Sequence, residues 1–311
     1  MHVVITDSGL GGLGICAAIE NALRLSGSAG HVRLTYFNAW PEEGRGYNSL
    51  PDEETRLAFF DRALARMSQL GPDRIVIACN TLSVLFGLTR FARTSALPVV
   101  GIIDAGVDLF HEALSGDRSG SIALFGTRIT MESGVHRDRL VQRGIAADRI
   151  VTVPCHGLAA AIEKDAGSAE VEQLIDRCSS LAAAALPRTG PLLAGLCCTH
   201  YGYVVDRFRL SLERALERPV RMLDPNGALV RLVVPELAPG SRRETPPHAA
   251  EDLSVAPAGS SPPARGAITV EVISKVTLAE STRAGIGRLV APVSSATARA
   301  LQSYSHVPDL F

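Results

Sequence analysis

Short apolar runs alternate with longer amphipathic stretches along most of the chain, and few folds accommodate that pattern. The apolar runs lie at residues 2–6, 32–37, 74–78, 98–102, 121–125, 150–153, 192–196, 220–223 and 267–273. Each is the length of a buried strand and too short for a helix. The stretches between them carry apolar residues three to four apart. In 52–70, for example, Leu57, Phe60, Leu64 and Met67 share one helical face, and Asp52, Glu53 and Glu54 sit where a helix dipole favours acid. Further helices are expected at 13–25, 131–143, 158–164, 169–186, 204–216 and 278–289. Strand–helix alternation of this kind predicts an α/β protein with parallel sheets, whose ligands bind beyond the carboxyl ends of the strands.

The alternation fails at residues 239–263, which hold six of the 18 prolines and few large apolar groups. Burial there cannot offset the entropy of ordering, so 239–266 is expected to be a mobile insertion. With 46% hydrophobic and 20% charged residues, the rest can fill a core. A formal net charge of −1 over 311 residues argues against a nucleic-acid or membrane-surface partner. No apolar run reaches the roughly 18–20 residues of a membrane span, and the start lacks the basic and apolar regions of a signal peptide. These features predict a soluble cytoplasmic protein whose six cysteines are reduced thiols rather than a disulfide framework.

Two cysteines stand out. Ala78-Cys79-Asn80-Thr81 follows one strand, and Cys197-Cys198-Thr199-His200 follows another, 119 residues later (198 − 79). Each places a thiol at a strand's carboxyl end, followed by small polar donors. A buried cysteine can be no more than a small hydrophobe, and Cys16, Cys155, Cys178 and Cys197 read that way. Two matched thiols across a cleft can instead remove a proton from one face of a carbon and return one to the other. The echo also points to two related halves with the site between them. Asp7-Ser8-Gly9-Leu10-Gly11-Gly12 links the first strand to the first helix, where its glycines serve either tight packing or close approach of a polar ligand. It lacks both the Gly-Lys-Ser/Thr ending and the Gly-x-Gly-x-x-Gly spacing of nucleotide loops. Thr127 opens a third junction, either as a helix cap or as a carboxylate donor. Glu163 is a solvated helix charge unless it faces the cleft, and His200 can exchange protons beside Cys198. No Cys-x-x-Cys is present, so no metal site is expected; a Cys–His hydrolase is the other reading of Cys198 and His200.

Taken in order, Asp7-Ser8-Gly9-x-Gly11-Gly12-Leu13, Ala78-Cys79-Asn80-Thr81, Gly126-Thr127-x-x-Thr130-x-x-Ser133-Gly134 and Cys198-Thr199-His200-Tyr201 resemble glutamate racemase and the wider aspartate/glutamate racemase family over roughly residues 1–230. The resemblance implies two similar parallel-sheet α/β domains related by pseudo-twofold symmetry, 1–96 plus 208–311 and 97–207, with the active site in the cleft between them. It implies a racemase that interconverts L- and D-glutamate without a cofactor, the D-isomer serving bacterial wall peptides, and a possible homodimer. Cys79 and Cys198 would be the two bases, Asp7 the assistant of the first, and His200 with Glu163 the partners of the second. Ser8, Asn80, Thr81, Thr127, Thr199 and Tyr47 would hold the substrate. The scarcity of lysine, Lys164 and Lys275 alone, fits chemistry without pyridoxal phosphate.

The loop from Asn38 to Asn48 departs from the family's Gly-Asp-Thr-Ala … Pro-Tyr-Gly, which in glutamate racemases helps hold the distal carboxylate. Arg45 there is either an exposed loop arginine, the stronger reading, or a replacement carboxylate contact. Cys197 and Gly202 stand where the family usually has Gly and Pro. Aspartate or another α-substituted acid is therefore an alternative substrate. A non-catalytic amino-acid-binding regulator is the alternative from another class, although a mere binder has no need of two matched thiols.

Overall fold

The computed structural model describes residues 1–27, 30–237 and 267–311; the insertion expected at 239–266 lies outside them. Among the described residues two sheets form, and every strand pairing in both is parallel. The first contains β1 (His2–Asp7), β2 (Val32–Asn38), β3 (Arg74–Ile77), β4 (Val99–Gly101), β9 (Ile268–Ser274) and β10 (Ser305–His306), in the order β10-β9-β2-β1-β3-β4. The second contains β5 (Ser121–Gly126), β6 (Ile150–Pro154), β7 (Leu192–Cys197) and β8 (Val220–Leu223), in the order β6-β5-β7-β8. The order β2-β1-β3-β4 is thus repeated as β6-β5-β7-β8. In each sheet the order reverses beside the first strand, at β1/β3 and again at β5/β7, and such reversals are where open α/β sheets bind ligands.

Helices cover the sheet faces. The first sheet is flanked by α1 (Leu13–Leu25), α2 (Glu53–Gln69), α3 (Asn80–Phe86) and α4 (Arg90–Thr94). After α5 (Ile102–Ser115) the second sheet takes α6 (Arg128–Glu132), α7 (Val135–Gln142), α8 (Leu158–Asp165), α9 (Ala169–Ala185) and α10 (Val205–Leu216). The chain then returns through α11 (Pro225–Leu237), and α12 (Glu280–Val290) and α13 (Ser295–Gln302) follow β9. Asp52 caps α2 by accepting from Thr55 N at 2.7 Å, as its acidic start predicts. The helix expected at 131–143 is two helices, because Gly134 takes a left-handed φ of 68° between α6 and α7. The chain leaves the first sheet after β4, builds the second from β5 to β8 and rejoins the first at β9. Among the described residues no helix is long and apolar enough to cross a membrane.

The central strands β1, β3, β5 and β7 are buried almost throughout. Val3, Ile5 and Val76 pack under α1 with Leu13 and Ile19, while Phe125 and Leu196 pack with Tyr201 and Phe208 of the second sheet. Burial of such apolar surface contributes about 25 cal/mol per Å² to holding the strands in place.

Candidate active site

Four strand ends converge on one cavity of about 570 Å³. Asp7 ends β1, Cys79 follows β3, Thr127 follows β5 and Cys198 follows β7, and all four line it. Ser8, Tyr47, Asn80, Thr81, Glu163, Thr199 and His200 line it too, so the cavity gathers every site residue expected from the sequence. Arg45 does not line it; its guanidinium is paired with Glu42 at 3.7 Å on the exposed side of the loop.

Each thiol has its own partners. Cys79 sits at the start of α3, with its Sγ 3.1 Å from Ser8 Oγ. Burial, reinforced by the neighbouring Asp7, pushes this thiol well above the ordinary cysteine range and keeps it protonated at neutral pH. Burial also raises Asp7, against the pull of His200 and of the hydrogen bonds from Thr199 and Cys79. Cys198 lies 3.8 Å from Nδ1 of His200, whose Nε2 is 2.7 Å from Glu163 Oε2. Burial alone would lower His200. Its hydrogen bonds to Cys198 and Glu163 outweigh that and hold the imidazole well above its usual value, in the charged form.

The two partner sets are joined across the sheets. Thr199 Oγ1 donates to Asp7 Oδ2 at 2.8 Å, and Leu10 N donates to Glu163 Oε2 at 2.8 Å. The glycines of the Asp7–Gly12 turn exist for this closeness. A Cβ at Gly11 would run into Thr199 Oγ1 and the His200 ring, and one at Gly12 would lie 2.9 Å from both Ala78 Cβ and Asp7 Oδ2. Tight packing, not a ligand cradle, explains these two positions. Glu163 is therefore no solvated helix charge: it spans from His200 to the opposite loop.

The remaining polar groups form a donor wall. The hydroxyls of Thr81, Thr127 and Thr130 lie within 2.9–3.2 Å of one another, Thr81 from the first sheet and the others from the second. Asn80 is 2% exposed, and among the described residues neither its amide oxygen nor its nitrogen has a partner; the buried hydroxyl of Tyr47 has none there either. Such groups cost free energy unless something pairs with them, and both residues line the cavity.

Several contributors escaped sequence reasoning. Tyr203 accepts from Gly14 N at 3.0 Å and faces the carbonyls of Leu10 and Gly11 at 3.2 and 3.1 Å, fixing the first loop from the second sheet. Tyr36 donates to Gly9 O at 2.6 Å from below. Asn226 Nδ2 donates to Thr199 O at 3.1 Å. Cys155 and Cys197, read as packing residues, are buried in the core and also border the cavity.

Comparison with known proteins identifies the family. Residues 10–233 match the family described as Asp/Glu/Hydantoin racemase. The chain belongs to that family. Glutamate racemase of Granulibacter bethesdensis is 30% identical over 236 residues, covering 74% of this chain and 76% of the relative. Glutamate racemase of Aquifex pyrophilus is 32% identical over 144 residues, 46% of this chain. That match spans about half of the relative's length, 52%. Glutamate racemase from Francisella tularensis, solved in complex with D-glutamate, superposes with a TM-score of 0.64 at 18% identity over 93% of each chain. Likeness at that identity shows that this family member shares the fold.

Proposed function

We propose that this protein is a cofactor-independent amino-acid racemase that interconverts L- and D-glutamate by proton transfer between two thiols. The observation that carries this reading is the convergence of Cys79 and Cys198 on one cavity, each arriving from a different sheet with its own acid–base partner. The Francisella tularensis complex with D-glutamate supports the substrate. Sheets with the same strand order, supplying one thiol each, support a division into two lobes with the site between them.

In the resting state Cys79 carries its proton. The Cys198 sulfur, with the His200 imidazolium beside it, takes the α-proton from one face of the substrate, and its own S–H bond forms as the C–H bond breaks. Negative charge then develops on the α-carbon and its carboxylate. The hydroxyls of Thr81 and Thr127 and the unpaired amide of Asn80 meet it, and donors held in place ahead of the reaction stabilise such charge most. Cys79 delivers its proton to the opposite face and the configuration inverts. The reverse direction needs Cys79 as thiolate, with Asp7 and Ser8 as its proton partners. Free thiols near pKa 8.5 are poor bases at neutral pH, so a partner on each side is what the chemistry requires.

The test is α-deuterium uptake in D2O, without added cofactor, from each enantiomer of glutamate and aspartate. Uptake with inversion from glutamate is expected. Uptake from aspartate alone would transfer the mechanism to the alternative acid, for which the altered loop at residues 38–48 leaves room. Tight binding with no exchange would make the protein a binder. Cys79→Ala and Cys198→Ala should each abolish racemisation with an unchanged circular dichroism spectrum; near-normal turnover by either would overturn the two-thiol scheme.

A further inference from the structure

We infer that Arg128 is the specificity-determining residue of this site, the cation that receives the distal anionic group of an acidic substrate. The inference rests on the racemase reading for the orientation of that substrate.

The strand-end part of the cavity lining is suited to an amino group and an α-carboxylate. Asp7 and Glu163 border it, and the threonine hydroxyls and Asn80 face it. A second carboxylate near Asp7 and Glu163 would meet like charge, so it needs a cation elsewhere on the lining. Among the described residues, and besides histidines, the cationic side chains on that lining are Arg128 and Lys164.

Arg128 is the better prepared of the two. It directly follows Thr127 and is only 36% exposed. Its Nη2 donates to the carbonyl of Asn48 at 2.8 Å, and the next residue, Ile129, donates its N–H to Asn48 Oδ1 at 3.2 Å. These contacts join the variant loop to α6 and fix the guanidinium before any ligand arrives, which reduces the ordering cost of binding. Among the described residues the carboxylate paired with it is Glu132, 61% exposed and 3.3 Å from Nη1, and an exposed pair of this kind holds its partner weakly. Of the five N–H donors of a guanidinium, those not given to Asn48 and Glu132 remain, in a planar fork that suits a carboxylate. Lys164 is exposed near the end of α8. It brings a hydrated point charge on a flexible stem and no such geometry.

The experiment measures equilibrium binding of glutamate and of its uncharged isostere glutamine to the wild type and to Arg128→Gln, Arg128→Lys and Lys164→Gln. The inference expects wild type to prefer glutamate. Arg128→Gln should weaken glutamate at least tenfold and leave glutamine within twofold, Arg128→Lys should recover part of the preference, and Lys164→Gln should keep it. Equal weakening of both ligands in Arg128→Gln would overturn the inference, because it would show a grip on the α-carboxylate or a purely structural role for the Asn48 contact. So would loss of the preference in Lys164→Gln alone, or a wild type that binds the two ligands equally. Deuterium exchange on the same proteins reports separately on the racemase reading. A wild type that prefers glutamate through Arg128 yet exchanges nothing would refute catalysis and leave this assignment standing.

Discussion

His136 offers a quantitative test of the fold around the second sheet. It lies in α7, 1% exposed, with its ring 6.2 Å from that of Phe110 and, among the described residues, no hydrogen-bond partner at either nitrogen. Burial, aided by Arg139, lowers its pKa from 6.5 to about 4. A depressed histidine is neutral in both states above pH 6.5, so its full contribution to stability is present there. As pH falls below 6.5 the unfolded chain takes up a proton that the folded one refuses until about pH 4, and stability drains away over that window. The drop from 6.5 to about 4 corresponds to roughly 3 kcal/mol, of which about 2 kcal/mol is lost by pH 5. His136→Leu removes the ionisable group and two unpaired buried nitrogens. Urea unfolding of both proteins at pH 7.5 and pH 5 isolates the effect, since every other titrating group is common to them. The wild type should lose about 2 kcal/mol more than the variant on acidification, and the variant should be at least as stable at pH 7.5. Parallel losses in the two proteins would show that His136 finds a partner or water on folding, and would refute the reasoning.

Two further substitutions probe the contacts between the sheets. Thr199→Val removes the hydroxyl that donates to Asp7; a bond to a charged group contributes about 1.5–3 kcal/mol, so kcat should drop by roughly 10- to 100-fold with KM little changed, as steady-state racemisation would read. Gly11→Ala drives a methyl into Thr199 and His200 and should lower both kcat and the melting temperature; an unaltered enzyme would mean that the loop and β7 are not held so closely.

The strands were legible because each is a short apolar run with nowhere to go but a doubly covered sheet. β10, two exposed residues at Ser305–His306, has no such signal and escaped. So did α5, because Ile102 reads as the last residue of a strand when it is the first of a helix. Gly134 was visible as a residue, yet only the backbone reveals its left-handed φ and the break it makes. At the site, the thiols announced themselves by repeating a motif at two strand ends. The residues that hold them in place did not. Tyr203 and Asn226 act through backbone atoms of loops distant from them in sequence or across the cleft, and Arg128 works beside a loop 80 residues away. Contacts of that kind leave no periodicity and no spacing to read. Arg45, the arginine the loop sequence brought forward, turned out to face its own neighbour Glu42.

The Thr199–Asp7 and Glu163–Leu10 contacts have a kinetic consequence. They are two of the contacts through which the sheets meet, beside those of Thr81 with Thr127, Arg128 with Asn48 and Tyr203 with Gly14, and they also hold the carboxylates of Asp7 and Glu163. On the proposed two-thiol reading, parting the sheets to admit a diffusing molecule would take Asp7 and Glu163 from these partners, and the proton chemistry would be confined to the closed arrangement.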